Sequence, residues 1–278
     1  MNLEPPPLLR RWRLPVSGGH DLQVQEFGRA DGQPAVALHG GPGSGGSAAL
    51  AAVFDPAHWR VIVPDQRGAG ASTPAGGLDD NTLPHLLQDL RALRRALALE
   101  RWLVYGGSWG ATLAIAHAAD EPPAASGLLL RASFLARPDD IAWFFEGARA
   151  VRPQAWAELS AAVEGAPVQA ALTRWLLGDE PALQARAAIA WRRWELALAG
   201  QPVATPEGPA LAAQIQRLRI QAHYLLHGCW MDPPLLERAL HLPRVPTWVT
   251  HARDDQVCRF EGALALLERL PHARFVPA

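Results

Sequence analysis

Cysteine is scarce. The 278 residues hold two, Cys229 and Cys258, too few for a disulfide scaffold or a cysteine-built metal cluster. Charge of one sign is not concentrated either. The formal net charge is −1 at pH 7 and no block of Lys or Arg occurs, so neither nucleic acid nor an anionic membrane is indicated as a partner. Long apolar runs are missing, and nothing approaches the roughly 20 residues that a membrane span needs. The opening "MNLEPPPLLRRWRLP" has no apolar stretch long enough for a signal peptide, and its prolines would break one. These absences lead to the expectation of a cytoplasmic protein with reduced thiols. What the chain does have is apolar content: 49% hydrophobic against 19% charged residues, an ordinary globular composition that argues against disorder. Its length suffices for one large domain or a core with an insertion.

The apolar runs fall into a rhythm. "HDLQVQEFG" (His20–Gly28) alternates as a half-buried strand does, while "PAVALHG" and "WRVIVPDQRG" are buried runs that end in glycines and polar residues. "PHLLQDLRALRRALAL" (Pro84–Leu99) sets leucines at three- and four-residue spacing with arginines opposite, which predicts a helix. "RWLVYGGS" predicts a strand, "ATLAIAHAADEP" a helix and "SGLLLRAS" another strand. Alternating strands and helices imply a mostly parallel central sheet with helices on both faces. Residues 137–241 carry helical patches and no convincing strand, and six of the eleven tryptophans (143, 156, 175, 191, 194, 230) lie there. The rhythm resumes at "VPTWVTHARDDQ" and runs through "FEGALALLERL" to "ARFVPA". The expected organisation is an α/β core over 1–136 and 242–278 with a helical cap inserted over 137–241.

Chemistry concentrates where strands end. "GGSWG" (Gly106–Gly110) fits G-x-S-x-G between a strand and a helix, where a serine sits on a strained elbow that exposes its hydroxyl. Ser108 is therefore the candidate nucleophile; the plainer reading is a helix-capping serine or an anion-binding turn. "LHGGPGSGG" (Leu38–Gly46) can turn the Gly41 amide toward a carbonyl oxygen, with the Trp109 amide as second oxyanion donor. A flexible surface loop is its plainer reading. In this fold an acid follows the serine in chain order. Asp254 and Asp255 both end a late strand, and the residue pattern alone does not separate them. Side chains and amides suffice for acyl transfer, so neither a metal nor an organic cofactor is expected.

Taken in order, "HGGPG", "DQRGAGAST" (Asp65–Thr73), "GGSWGATLA", "LLLRASFLARPDDIAWFFEG" (Leu128–Gly147), "WRRWE" (Trp191–Glu195) and "THARDDQVC" (Thr250–Cys258) resemble the prolyl aminopeptidase (proline iminopeptidase) family of α/β-hydrolases. The resemblance spans nearly the whole chain. It implies an α/β-hydrolase fold with a helical cap and a serine peptidase that releases N-terminal proline from small peptides. It selects Asp255 as the orienting acid, and Glu195, beside Trp194 and Trp191, as the anchor of the substrate's amine. By pattern alone Glu195 reads as a solvated helix residue. A second glutamate of the family corresponds here to Gln221 in "RIQAHYLL", which can accept a hydrogen bond but adds no charge.

The family's catalytic histidine follows the last strand in a "GH", whereas this sequence stops at "PHARFVPA". That pattern leads to the expectation of a C-terminally truncated core with little or no turnover. His272 precedes the last strand and would lie about 15 Å from its far end at about 3.3 Å per residue. His251, four residues before Asp255, would have to turn in from another strand position. His39 reads as a structural residue of the oxyanion loop. Two rival readings follow: an esterase, lactonase or broader amidase on the same fold, and a non-catalytic binder of prolyl peptides.

Overall fold

The apolar runs of the N-terminal half, together with two late ones, assemble into one eight-stranded sheet. The computed structural model describes residues 5–278, so the first four residues of the opening segment lie outside it. The strands are β1 (Leu8–Pro15), β2 (Asp21–Gly28), β3 (Gln33–Leu38), β4 (Trp59–Pro64), β5 (Trp102–Gly107), β6 (Ala125–Arg131), β7 (Thr247–His251) and β8 (Arg274–Pro277). Their order in space is β1-β2-β4-β3-β5-β6-β7-β8. β1 and β2 pair antiparallel with each other, as do β2 and β4, and every later pairing is parallel.

β1 has no counterpart among the sequence expectations, for a physical reason. Its "LLRRWRLP" is largely exposed and lacks the buried alternation that marks a half-covered strand. Its backbone ladder with β2 seats it in the sheet, and a buried carboxylate reinforces the seam. Glu26 of β2 is buried and accepts from Arg10 Nε and Trp12 Nε1 of β1 at 2.7 Å each, and from Arg60 Nε of β4 at 2.8 Å.

Helices cover both faces. α1 (Ala48–Ala51) is a single turn, and α2 (Leu83–Ala96) buries Leu83, Leu86, Leu87, Leu90 and Leu93 along one stripe. α3 (Trp109–Asp120) is buried nearly all round, consistent with its Ala-rich composition, and packs against β5. Arg67, in the turn after β4, is fully buried against α2. It makes a two-pronged pair with Asp89 through Nε and Nη2, both at 2.7 Å, and also holds the Asp80 carbonyl and the Ser17 hydroxyl. Asp89→Ala would leave that guanidinium buried and unpaired. The expected loss is about 3 kcal/mol, measurable as a lower urea midpoint.

Between β6 and β7 run α4 (Pro138–Phe145), α5 (Pro153–Ala162), α6 (Val168–Leu177), α7 (Pro181–Leu198), α8 (Gly208–Leu226) and the short α9 (Leu235–Arg238); α10 (Phe260–Arg269) lies between β7 and β8. α4 to α8 enclose a second apolar cluster that includes Phe145, Leu172, Trp191, Trp194 and Leu218. Phe145 and Trp191 meet edge to face at 5.0 Å between centroids, as do Trp156 and Trp194 at 5.4 Å. α8 also reaches the sheet layer. Tyr224 packs on Trp109 with ring centroids 4.9 Å apart and donates to Asn81 Oδ1 at 3.0 Å.

Strand order determines where a site can form. The chain leaves β3 toward β4 on one side and then returns to place β5 on the other, so a crevice opens beyond the C-terminal ends of β3 and β5. No helix of the described residues is long and apolar enough to cross a membrane. No cluster of three or more His, Cys, Asp or Glu side chains able to hold a metal ion occurs among the described residues.

Candidate active site

β5 runs into α3 through one residue, Ser108, whose φ of 54° and ψ of −122° lie outside the regions L-residues prefer. Two glycines make that bend sterically possible. A Cβ at Gly106 would stand 2.1 Å from the Gly110 carbonyl oxygen, and one at Gly110 would stand 2.1 Å from the Leu38 carbonyl oxygen. The bend is pinned on both sides. Ser108 N donates to the Arg131 carbonyl at 2.9 Å, and the Ser108 carbonyl accepts from Ala111 N at 3.0 Å at the start of α3.

The loop after β3 faces this elbow. A Cβ on Gly40 would be 3.2 Å from the Gly107 carbonyl oxygen and 3.5 Å from Ser108 Cβ. Gly41 follows with φ +109°, open to glycine and strained for other residues. The Trp109 amide stands at the first position of α3, ahead of any intrahelical acceptor, and is free to point outward.

A buried network locks loop and elbow together. Gln66 N donates to His39 Nε2 at 3.0 Å, and His39 Nδ1 donates to the Gly40 carbonyl at 2.9 Å. Gln66 Nε2 donates to the His39 carbonyl at 2.9 Å, while its Oε1 accepts from the Trp109 indole at 3.0 Å. Burial lowers the affinity of His39 for a second proton, more than its bond to Gly40 and the nearby Asp65 raise it. Its ring is thus a neutral strut. Sequence reasoning did not single out Gln66, although it lies inside the "DQRGAGAST" stretch.

Ser108 opens into a cavity of about 280 Å³, at the small end of the range for ligand sites. Gly40, Gly41 and Ser44 wall it on the sheet side. Phe134, Ile141, Phe144 and Phe145 supply its apolar wall; Glu195, Arg217, Gln221 and Asp140 supply its polar one. Trp194, expected beside the substrate, does not line this cavity. It is buried in the helical cluster and donates its indole N–H to the Phe144 carbonyl at 2.8 Å.

Glu195 is half-buried and ionised, not solvated. Its Oε2 accepts from Arg192 Nη1 at 2.9 Å and from Arg217 Nη2, and its Oε1 lies 3.4 Å from Arg217 Nη1. Burial raises the carboxyl's proton affinity, but the charge and hydrogen bonds of Arg217, with those of Arg192, outweigh it and hold the group below its ordinary value. Gln221 also lines the cavity, with a buried Oε1 that has no hydrogen-bond partner.

On the β7 side, Asp254 is exposed and Asp255 half-buried. Asp255 Oδ1 accepts from the amides of Val257 and Cys258 at 2.9 Å each. Neither aspartate lines the cavity. His251 Nε2 lies 3.7 Å from Asp255 Oδ2 but makes its hydrogen bond, at 2.6 Å, to the Cys258 carbonyl. The partner of the Ser108 hydroxyl is the Cys258 thiol, with Oγ and Sγ 3.6 Å apart. Burial, reinforced by Asp255, pushes this thiol up to about 12, so near neutral pH it is S–H and cannot take the serine's proton. Among the described residues no histidine lines the cavity.

The chain is similar to known proteins over most of its length. Residues 34–277 match a family model described as the alpha/beta hydrolase fold. The proline iminopeptidase of Xanthomonas citri is 38% identical over 271 residues, which cover 94% of this chain and 86% of that one. The proline iminopeptidase of Arabidopsis thaliana is 36% identical, covering 94% and 71%. The crystal structure of a proline iminopeptidase from Mycobacterium smegmatis superposes with a TM-score of 0.63 at 22% identity, covering 96% of this chain and 89% of that one. At that identity it supports the shared fold.

Proposed function

The chain belongs to the proline iminopeptidase family of α/β-hydrolases, and from that premise we propose that it releases N-terminal proline from small peptides through an acyl-enzyme on Ser108. The observation that carries this reading is the joint placement of Ser108 and the ionised Glu195 on one small, aromatic-walled cavity. A pyrrolidine ring suits the wall of Phe134, Phe144 and Phe145, and a substrate ammonium suits a carboxylate. Helices 137–241 then act as the cap that closes the cavity over the sheet.

In this reading Ser108 Oγ attacks the carbonyl carbon of the prolyl residue. The Gly41 and Trp109 amides hold the oxygen that becomes negative, and their preorganisation is the main source of rate. The C–N bond breaks, the serine proton ends on the departing amine, and water then opens the ester to give proline and restore the hydroxyl. Asp255, fixed by two backbone amides, would orient the imidazole that carries the serine proton in this scheme, a place that no histidine of the described residues occupies. Gln221 accepts from the substrate amine without adding charge.

Glu195→Gln tests the assignment. In a Ser108→Ala background the Kd of prolinamide is expected to rise about tenfold, equivalent to about 1.4 kcal/mol, while that of N-acetylprolinamide changes less than about twofold. Equal losses on both ligands would remove Glu195 from amine binding and favour a general esterase.

A further inference from the structure

Glu195 does not wait in the cavity as a free carboxylate. Both of its oxygens face arginine N–H groups: Arg192 on its own helix, and Arg217 from α8. The second partner is the informative one, because Arg217 itself lines the cavity and its side chain is only 14% exposed. It is also held from behind. With the Gln214 amide oxygen turned toward it, Oε1 accepts from Arg217 Nε at 2.8 Å and from Nη2 at 3.2 Å. The other carboxylate on the cavity wall, Asp140, is bound by Arg137 through Nη2 at 2.7 Å and Nε at 3.0 Å. One turn along α8 from Arg217, Gln221 offers an unpartnered oxygen but no charge.

An ammonium entering this cavity therefore finds no uncommitted negative charge among the residues that line it. It must share Glu195 with a guanidinium already in place, at the penalty of bringing two cations together, or displace that guanidinium and lose the existing pair. A substrate whose amine is blocked or uncharged pays neither penalty and still keeps the aromatic wall and the Gln221 oxygen.

We propose that Arg217 is a specificity-determining residue, a resident cation that competes with the substrate's ammonium for Glu195 and weakens discrimination in favour of free N-termini. The inference rests on the reading of Glu195 as the amine site. It places the preferred substrates nearer to acyl groups of low charge than the family name alone suggests.

Binding, which needs no turnover, supplies the test. In a Ser108→Ala background, the Kd of prolinamide and of N-acetylprolinamide would be measured by calorimetry at neutral pH, and their ratio compared among variants. Arg217→Met is expected to shift the ratio about tenfold in favour of the free amine, about 1.4 kcal/mol. Arg217→Gln, similar in shape and still able to donate, guards against a folding failure and should move the ratio the same way. Arg217→Lys keeps the charge and should stay within about twofold of the parent, which a merely space-filling role would not require. If prolinamide binds but the ratio is unchanged or falls in folded Met and Gln variants, Arg217 supports Glu195 instead of competing with it, and the inference fails alone. If no variant binds prolinamide, the amine-site reading and the inference fall together.

Discussion

Ser108→Ala is expected to abolish covalent capture of a fluorophosphonate by this chain, read by intact-mass spectrometry. The unsubstituted chain is expected to be captured slowly, with a rate that climbs steadily with pH and shows no inflection between about 6 and 7, where imidazoles usually titrate. The groups around the hydroxyl lead to this profile. The Cys258 thiol, its 3.6 Å neighbour, is held protonated, and the rings of His39 and His251 are committed to the Gln66 amide and the Cys258 carbonyl. Loss of an effective base in a serine triad lowers kcat by about four to six powers of ten, and what survives comes from oxyanion stabilisation and binding. Fast labelling with an inflection in the imidazole range would show that a histidine does reach Ser108, and that the arrangement around Cys258 yields in solution.

Gly110→Ala should be among the most damaging small substitutions in the molecule. Its new methyl would lie 2.1 Å from the Leu38 carbonyl oxygen, a backbone atom at the end of β3 that cannot move without tearing the sheet. Gly106→Ala meets the same fate against the Gly110 carbonyl. A loss of about 5 kcal/mol or more is expected for each, enough to exhaust the stability of an ordinary domain and leave the protein insoluble or unfolded in circular dichroism. Gly107→Ala is the internal control. Its Cβ would find its nearest atom, the Arg131 carbonyl oxygen, at 3.8 Å, an ordinary contact, so the variant should fold within about 1 kcal/mol of the parent. A stable, soluble Gly110→Ala protein would mean that the elbow is far less tightly wedged than described.

These two cases also mark what the sequence could reveal. A strand, a glycine-flanked serine and a helix in immediate succession are local signals, and the elbow and parallel sheet follow from them. The α2 stripe and the buried runs of β3 and β5 were legible for the same reason. β1 was not, because its arginine-rich residues show no apolar period, and its ladder with β2 is reinforced by Glu26, a partner visible only once the strands pair. The surroundings of Glu195 were half legible. Arg192 lies at the helical i−3 position in "WRRWE", but Arg217 comes from another helix and no spacing announces it. Trp194 misled in the opposite way: adjacency to Glu195 suggested a shared cavity, yet consecutive helix residues point about 100° apart, and its indole turned into the helical cluster instead. Cys258 drew notice as one of two cysteines and as the end of the "THARDDQVC" stretch that selects Asp255, but not as a neighbour of Ser108, a contact that links positions 150 residues apart.

Tyr224 gives α8 a second anchorage. Its ring rests on Trp109 and its hydroxyl on Asn81, while the neighbouring His223 ring bonds the Asn81 carbonyl. The roof is thus riveted to the floor at one edge, and swinging that edge upward would drag the indole that braces the nucleophile's bend. α4 is fastened as well, its Trp143 indole donating to the Gln256 carbonyl beyond β7 at 2.9 Å, so the roof cannot lift from the sheet as one body without breaking bonds at both places.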